Sequence, residues 1–185
     1  MGTNNTLKTR NYNPQQIKCL QVNLKHSKAA TANLMKIVEE DQIDIICIQE
    51  PYTYQRKAAG IPTTYKTYNT SEIKCRATAV ATNSSIDTTL IRQFTDVDTV
   101  VAEIIKGSLK IILINMYFGG ENLIENDIAK VEAILKQAQG TGVLIVTDCN
   151  ARSTLWHDSL TNKRGRILED FLASNQLHVA NEASN

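Results

Sequence analysis

The hydrophobic residues of this chain fall mainly into short runs of strand length. These runs predict strands at 17–23, 43–50, 76–82, 88–94, 99–105, 108–117 and 143–146, with one more beginning at 177–181. Lys106 and Gly107 predict a hairpin turn between two of these strands. The segment 51–75, rich in Thr, Tyr and Lys, is typical of a loop with short edge strands.

Three other stretches have the spacing of amphipathic helices. Ser27 can cap the first, whose apolar stripe is Ala30, Leu34, Ile37 and Val38. The second runs over 124–139, with a stripe of Ile124, Ile128, Val131, Leu135 and Ala138, and the third spans 164–176. Because strands outnumber helices and the middle of the chain resembles a meander, the pattern predicts an α/β or α+β fold with a mixed sheet.

Composition narrows the class of protein. A chain of 185 residues with 42% hydrophobic content fits one domain with a substantial core. The net charge of +1 indicates no strong overall electrostatic field, although a local basic patch would still be enough to bind nucleic acid. The four cysteines lack metal-ligand spacing, and no apolar run is long enough to span a membrane. Residues 1–16 are predicted to be a disordered leader or an expression scar, followed by one domain over 17–185 of an intracellular protein.

Four of the predicted strands end in polar groups that can carry chemistry. These are Asn23, Gln49 with Glu50, Asn115 with Tyr117, and Asp148 with Asn150. Each taken singly most often just begins a loop, but ligands of α/β proteins commonly bind beyond the carboxyl ends of strands. If the four ends lie side by side, their oxygen-rich side chains suit Mg²⁺ rather than zinc, with carboxylates from Glu50 and Asp148.

Two other uses of these residues are less well supported. A pair of carboxylates can hydrolyse glycosides, but such sites stack sugars on aromatic platforms, and this chain is only 5% aromatic with one Trp. A serine or cysteine triad lacks support because His26, His157 and His178 have no nucleophile-elbow motif to accompany them.

Several motifs in order along the chain resemble one superfamily. The motifs are "QVN", "IQEPY", "INMYF", "TDCNARSTLWH" and "RGRILEDFLASNQLHVAN", and they cover almost everything from Ile17 onward. Together they resemble the exonuclease–endonuclease–phosphatase superfamily, and within it the apurinic/apyrimidinic-type endonuclease domain of non-LTR retrotransposons. This resemblance implies a four-layered α/β sandwich of two mainly antiparallel mixed sheets flanked by helices.

The resemblance also implies roles for five residues. Glu50 resembles the metal-binding glutamate, and Asn23 the asparagine that supports the metal and the attacking water. Tyr117 resembles the tyrosine that contacts the scissile phosphate. Asp148 resembles the aspartate that orients or deprotonates the water, and Asn150 the asparagine that steadies the phosphate. The implied cofactor is Mg²⁺, with Mn²⁺ as the alternative.

The implied partner is target-site duplex DNA, with no membrane. Arg152, Lys163, Arg164 and Arg166 are candidate contacts to its phosphates, although a solvated loop and helix face explains each of them about as well. The resemblance places a reverse transcriptase downstream in the same polyprotein. The nick would supply the primer for reverse transcription, with the nucleus as the site of action.

One departure from the family pattern limits the expected activity. The family ends with an aspartate-bearing strand and a Ser-Asp-His segment, whereas this sequence stops at "NEASN" before either. We therefore expect the last strands of the second sheet to be missing and the fragment to be inactive or nearly so, and prone to associate. The alternatives are another metal-dependent phosphodiesterase or phosphatase of the same fold, and a decayed, non-catalytic DNA-binding module.

Overall fold

The computed structural model describes residues 16–70 and 74–181, so the expected leader lies outside the described residues except for Gln16. In chain order the elements are β1 (Cys19–Asn23), α1 (Lys28–Asp41), β2 (Ile45–Gln49), β3 (Thr53–Tyr54), β4 (Lys57–Ala58), β5 (Lys66–Tyr68), β6 (Ala77–Ala81), β7 (Asp87–Leu90), β8 (Thr99–Lys106), β9 (Leu109–Tyr117), α2 (Ile124–Gln137), β10 (Gly142–Asp148) and α3 (Lys163–Ser174). Two short 3₁₀ helices occupy Arg92–Phe94 and Thr154–Trp156.

Two four-stranded sheets form the centre of the fold. The first has the strand order β1-β2-β6-β5 and the second β10-β9-β8-β7, while β3 and β4 pair as a separate two-stranded sheet. In each large sheet one pair is parallel, β1 with β2 and β10 with β9, and the other two pairs are antiparallel. Both sheets are therefore mixed and mainly antiparallel, as the resemblance implies.

The alternation of side chains along the strands builds four layers. In β2, Ile46 and Ile48 pack on the side of α1, whereas Ile45 and Cys47 pack between the two sheets. The outer face of the second sheet is covered by α2 and α3. The order of layers is α1, first sheet, second sheet and the α2–α3 pair, which confirms the expected four-layered sandwich.

Two helix starts follow directly from the sequence. The Ser27 hydroxyl oxygen accepts a hydrogen bond from the backbone of Ala30 at 3.1 Å, so the predicted cap of α1 is confirmed. Asn162 caps α3 by accepting from the backbone of Gly165 at 2.8 Å and from that of Arg152 at 3.2 Å. The second bond ties the loop after β10 to the start of α3.

Three sequence predictions are wrong in detail. The strand expected over 88–94 ends at Leu90, because the Thr95 hydroxyl bonds Ile91 and Val101 and closes a 3₁₀ turn. Residues 177–181 form no strand, because a groove lies between them and β10. Ile37, expected on the buried stripe of α1, is 45% exposed, and Thr31 is buried instead.

The groove beside β10 has a volume of about 970 Å³. Its apolar part is lined by Val143 and Ile145 of β10 and by Phe171 and Leu177 across from them, and Asp148 lies at its polar end. Within the described ranges, β10 pairs only with β9, so its other edge faces this groove. None of the helices in those ranges is long and apolar enough to cross a membrane.

Candidate active site

The two parallel strand pairs bring four strand ends together. β1 and β2 end at Asn23 and Gln49, and β9 and β10 end at Tyr117 and Asp148. Asn23 Nδ2 donates to Asp148 Oδ2 at 2.7 Å, which joins the first sheet to the second across 125 positions of sequence. The carboxyl ends of the strands therefore meet at one place, as the pattern of polar strand ends predicts.

The Asn23–Asp148 bond orients both side chains. Asn23 Oδ1 accepts from the backbone nitrogen of Lys25 at 2.8 Å, so both ends of its amide are fixed. Asp148 Oδ1 lies 3.4 Å from the backbone nitrogen of Asn150, a long contact that leaves this oxygen available to a water molecule. The arrangement suits a carboxylate that positions a nucleophile.

Glu50 follows β2 in a left-handed backbone conformation, with φ of 47°. Its backbone nitrogen donates to Arg76 O at 2.8 Å, and its side chain is 23% exposed. Lys25, His26 and Asn150 share the positive φ, which costs about 1–2 kcal/mol for each such residue. Left-handed backbone beside a set of polar side chains is often found at functional sites.

The guanidinium group of Arg76 lies over the ring of Tyr117. Its guanidinium carbon lies 5.2 Å from the ring centroid, within the range of a cation–π contact. Both Nε and Nη2 donate to the Asp98 carboxylate, the latter at 2.7 Å, and Nη1 donates to Glu121 at 2.6 Å. The backbone nitrogen of Tyr117 donates to Asp98 O at 2.9 Å, so Asp98 fixes both partners of the contact.

The environment of Tyr117 keeps its phenol protonated. Burial, and after it the negative charge of Glu50, raise the pKa of Tyr117, while a hydrogen bond with Asn150 lowers it. Asn150 in turn donates from Nδ2 to Phe118 O at 2.9 Å. Tyr117 is therefore a neutral hydroxyl that can donate to an anionic group between Glu50 and Asp148.

Two of the amides that the sequence places near the pocket are buried between the sheets instead. Gln49 Nε2 donates to Asn115 Oδ1 at 2.6 Å, and Asn115 Nδ2 donates to Thr78 O at 2.8 Å. Gln21 extends this network by donating to Thr147 O at 2.8 Å. Gln49 and Asn115 are fully buried, so they join the two sheets and do not line the site.

The four candidate DNA contacts have different surroundings. Arg152 pairs with Asp158 at 2.8 Å, and it would have to exchange this carboxylate for a phosphate. Arg164 donates to Asn122 O at 2.7 Å and to a second backbone carbonyl, which makes it a support for the loops around the site. Lys163 and Arg166 are exposed on α3, and no ion pair ties either to another described residue.

The donor set fits a hard divalent cation with an open coordination sphere. Within residues 16–70 and 74–181, no three His, Cys, Asp or Glu side chains converge as a closed metal cage. Glu50 offers a partly exposed carboxylate beside the Asn23–Asp148 pair. Mg²⁺ typically takes one or two carboxylates and fills its other positions with water and substrate phosphate oxygens, so these residues suffice.

Comparison with known proteins agrees with this geometry. Residues 111–185 match the family model described as endonuclease-reverse transcriptase. The endonuclease domain of TRAS1, a telomere-specific non-LTR retrotransposon, superposes with a TM-score of 0.81 and 25% identity, covering 91% of this chain and 74% of that one. The chain has the exonuclease–endonuclease–phosphatase fold and resembles its non-LTR retrotransposon endonucleases. Both matches are to endonucleases, so the chain is similar to phosphodiester hydrolases of the endonuclease class.

More distant structures share the fold of this endonuclease-like chain. The AP endonuclease LMAP from Leishmania major matches with a TM-score of 0.63 and 11% identity over 89% of this chain and 68% of that one. TDP2 from D. rerio, complexed with a single-strand DNA product, matches with a TM-score of 0.54 and 12% identity over 89% and 66% of the two chains. No curated protein sequence matches significantly.

Sequence reasoning missed His26, Arg76 and Asp98 as neighbours of the site. Arg76 begins the strand predicted at 76–82, but a charged residue at a strand end carries no mark of its partner. His26 lies three residues after Asn23, and only the left-handed turn over Lys25 and His26 directs it toward Glu50. No signal in one sequence would have found these contacts.

Proposed function

We propose that this chain is the DNA-nicking endonuclease domain of a non-LTR retrotransposon polyprotein, dependent on Mg²⁺ or alternatively on Mn²⁺. The nick would prime a reverse transcriptase in the same polyprotein, in the nucleus. The observation that carries the proposal is the 2.7 Å bond between Asn23 and Asp148, which joins the two sheets beside Glu50 and Tyr117. The similarity to the TRAS1 endonuclease domain supports the choice of substrate.

We propose a step in phosphodiester hydrolysis for each of these residues. Asp148, held by Asn23, uses its second oxygen to orient a water for in-line attack on phosphorus and to accept its proton. The bond from phosphorus to the 3′ oxygen breaks, and that oxygen takes up a proton from solvent. Tyr117 donates its hydroxyl to a non-bridging phosphate oxygen, and Asn150, which hydrogen-bonds both Phe118 O and the phenol, steadies the phosphate through Tyr117. Glu50 would hold the cation, whose charge would offset that of the phosphate.

The surface charge supports DNA as the substrate. Lys163 and Arg166 lie exposed on α3. The side chain of Asn162 joins the start of α3 to the loop after Asp148 and Asn150, because it accepts hydrogen bonds from the backbone of both Gly165 and Arg152. We propose that these two cations bind phosphates directly, and that Arg152 does so after release from Asp158. Neutralising one phosphate contact weakens duplex binding at all sequences alike and lowers its salt dependence.

The test combines plasmid nicking with duplex binding. We expect Mg²⁺-dependent conversion of supercoiled to nicked plasmid, lost in Asp148→Asn and Glu50→Gln and kept in Asp170→Asn and Glu39→Gln, which neutralise exposed helix carboxylates. Duplex binding is measured alongside, and it should rise with Mg²⁺ and fall in Glu50→Gln. Nicking that survives both active-site substitutions, or the absence of both nicking and binding, would overturn the proposal.

A substrate panel separates the two alternatives. Equal or faster cleavage of abasic duplex, RNA or a small phosphomonoester than of plasmid would favour another phosphoesterase of this fold. Salt-dependent duplex binding that ignores both Mg²⁺ and Glu50→Gln would favour a non-catalytic DNA-binding module.

A further inference from the structure

The imidazole of His26 lies against the carboxylate of Glu50. His26 has φ of 57°, and its backbone nitrogen donates to Glu50 O at 2.8 Å, so the turn after β1 is tied to the end of β2. In the ring, Nδ1 lies 3.1 Å from Pro51 O, and Nε2 lies 3.6 Å from Glu50 Oε1. The His26 side chain is 36% exposed, so this pair opens to solvent beside the candidate site.

The partner of Nδ1 decides the tautomer of the ring. A carbonyl oxygen can only accept a hydrogen bond, so Nδ1 must carry the hydrogen that faces Pro51 O. In the neutral imidazole, Nε2 then holds a lone pair, and this lone pair faces the oxygen of Glu50. Two acceptors that face each other need a cation between them, which is either a proton on Nε2 or a metal ion.

The same arrangement is the one found at histidines that ligate metals. Such a histidine usually donates its other ring N–H to a carbonyl or carboxylate, which fixes the tautomer and the ring orientation. Pro51 O supplies that support here. Cation ligands at about 2.0–2.2 Å lie roughly 3 Å apart when adjacent, so a small rotation of Glu50 closes the 3.6 Å gap.

We propose that His26 Nε2 and Glu50 Oε1 bind one divalent cation together, which makes the site a mixed nitrogen–oxygen site. This inference rests on the proposed function only in taking Glu50 as a metal ligand. Because imidazole nitrogen suits transition metals and Mg²⁺ prefers oxygen, the site binds Mn²⁺ and Co²⁺ more tightly than Mg²⁺. The open positions of the cation remain for water and phosphate, since no third such side chain converges there among the described residues.

The test measures binding of Mg²⁺, Mn²⁺ and Co²⁺ to the 185-residue chain without DNA, by calorimetry and, for Mn²⁺, by electron paramagnetic resonance. The variant is His26→Asn, because asparagine tolerates the positive φ at this position. The matched control is His157→Asn, whose φ of 67° is also positive and whose ring contacts Asn181 O, away from Glu50. Glu50→Gln reports on the site as a whole.

We expect His26→Asn to weaken Co²⁺ and Mn²⁺ binding by roughly tenfold, which is the smallest loss of affinity usually seen when a residue that supports a metal ligand is removed. Binding of Mg²⁺ should change by less than about twofold. Glu50→Gln should weaken all three, and His157→Asn none. Equal weakening of Mg²⁺ and Mn²⁺, or no change, would overturn the nitrogen ligand. Tighter Mg²⁺ binding in His26→Asn would overturn it in favour of an imidazolium–carboxylate pair.

Failure of the proposed function has a different signature. If the unaltered chain binds no divalent cation, or if Glu50→Gln leaves binding unchanged, Glu50 is no metal ligand and the proposed metal site itself fails. Should His26→Asn not fold, the unaltered chain still gives the answer by NMR. Mn²⁺ must then broaden the ring protons of His26 at lower concentrations than those of His157, and equal broadening would refute the inference.

Discussion

Asp127, in the first turn of α2, is expected to destabilise the folded chain at neutral pH. Its Oδ2 atom is buried without a hydrogen-bond partner. Burial away from water raises the pKa of Asp127 to about 6. The positive charge of Arg164 lowers this pKa, and the negative charge of Asp98 raises it. Replacing the carboxylate by the neutral amide of asparagine should therefore stabilise the fold wherever Asp127 is charged.

The size of the effect follows from the shift in pKa. The pKa of Asp127 rises from the usual value of 3.8 to about 6, a change of roughly two units, and each unit corresponds to about 1.4 kcal/mol. Because Asp127 is only half-buried and water screens its charge, we expect about 1 kcal/mol instead of the full sum. Asp127→Asn should raise the free energy of unfolding by that amount at pH 7.5.

The pH dependence of stability tests separately whether the charge on Asp127 destabilises the fold. With its pKa raised in the folded state, Asp127 binds a proton more tightly there than in the unfolded chain. Its favourable contribution is complete below about pH 4 and is lost as the pH rises through about 6. Urea unfolding of both proteins at several pH values should thus show curves that converge below pH 4 and separate above pH 6.

An exposed carboxylate on α3 provides the control. Asp170→Asn removes the same charge without removing a buried one, so it should change the free energy of unfolding by less than about 0.5 kcal/mol. If Asp127→Asn destabilises the chain at pH 7.5, or shifts stability equally at pH 4 and pH 7.5, burial of charge is not what governs this residue.

Three further predictions test packing and polar contacts. Gly165→Ala would place a Cβ atom 1.9 Å from Arg152 O, so we expect a loss of about 3 kcal/mol in urea unfolding, and an unchanged midpoint would refute this packing. Asn115→Ala leaves its buried amide partners unpaired and should cost about 1–3 kcal/mol, whereas a cost below that would show that water satisfies them. Arg76→Leu removes the cation from the ring face of Tyr117, so the pKa of Tyr117 should rise further in ¹³C NMR titration, and a constant pKa would count against the contact.

The helices and most strands could be predicted from the sequence because their causes are local. Ser27 caps α1 whatever lies beyond, and the apolar run of β2 must be buried on both faces. The strand predicted over 88–94 was wrong because its second half is held by Thr95, whose hydroxyl bonds Val101 on the next strand. Residues 177–181 have strand-like sequence, but a strand also needs a partner within hydrogen-bonding reach.

The candidate site divides in the same way. The sequence alone determined which polar residues lie at the ends of the strands, and the resemblance of its motifs predicted Asn23, Glu50, Tyr117, Asp148 and Asn150 as a set. Only the tertiary structure decided that Asn115 and Gln49 bond each other between the sheets, and that His26 and Arg76 lie against Glu50 and Tyr117. The physical reason is that a strand's direction and burial follow from neighbouring residues, whereas a contact between side chains depends on how two sheets pack across many positions of sequence.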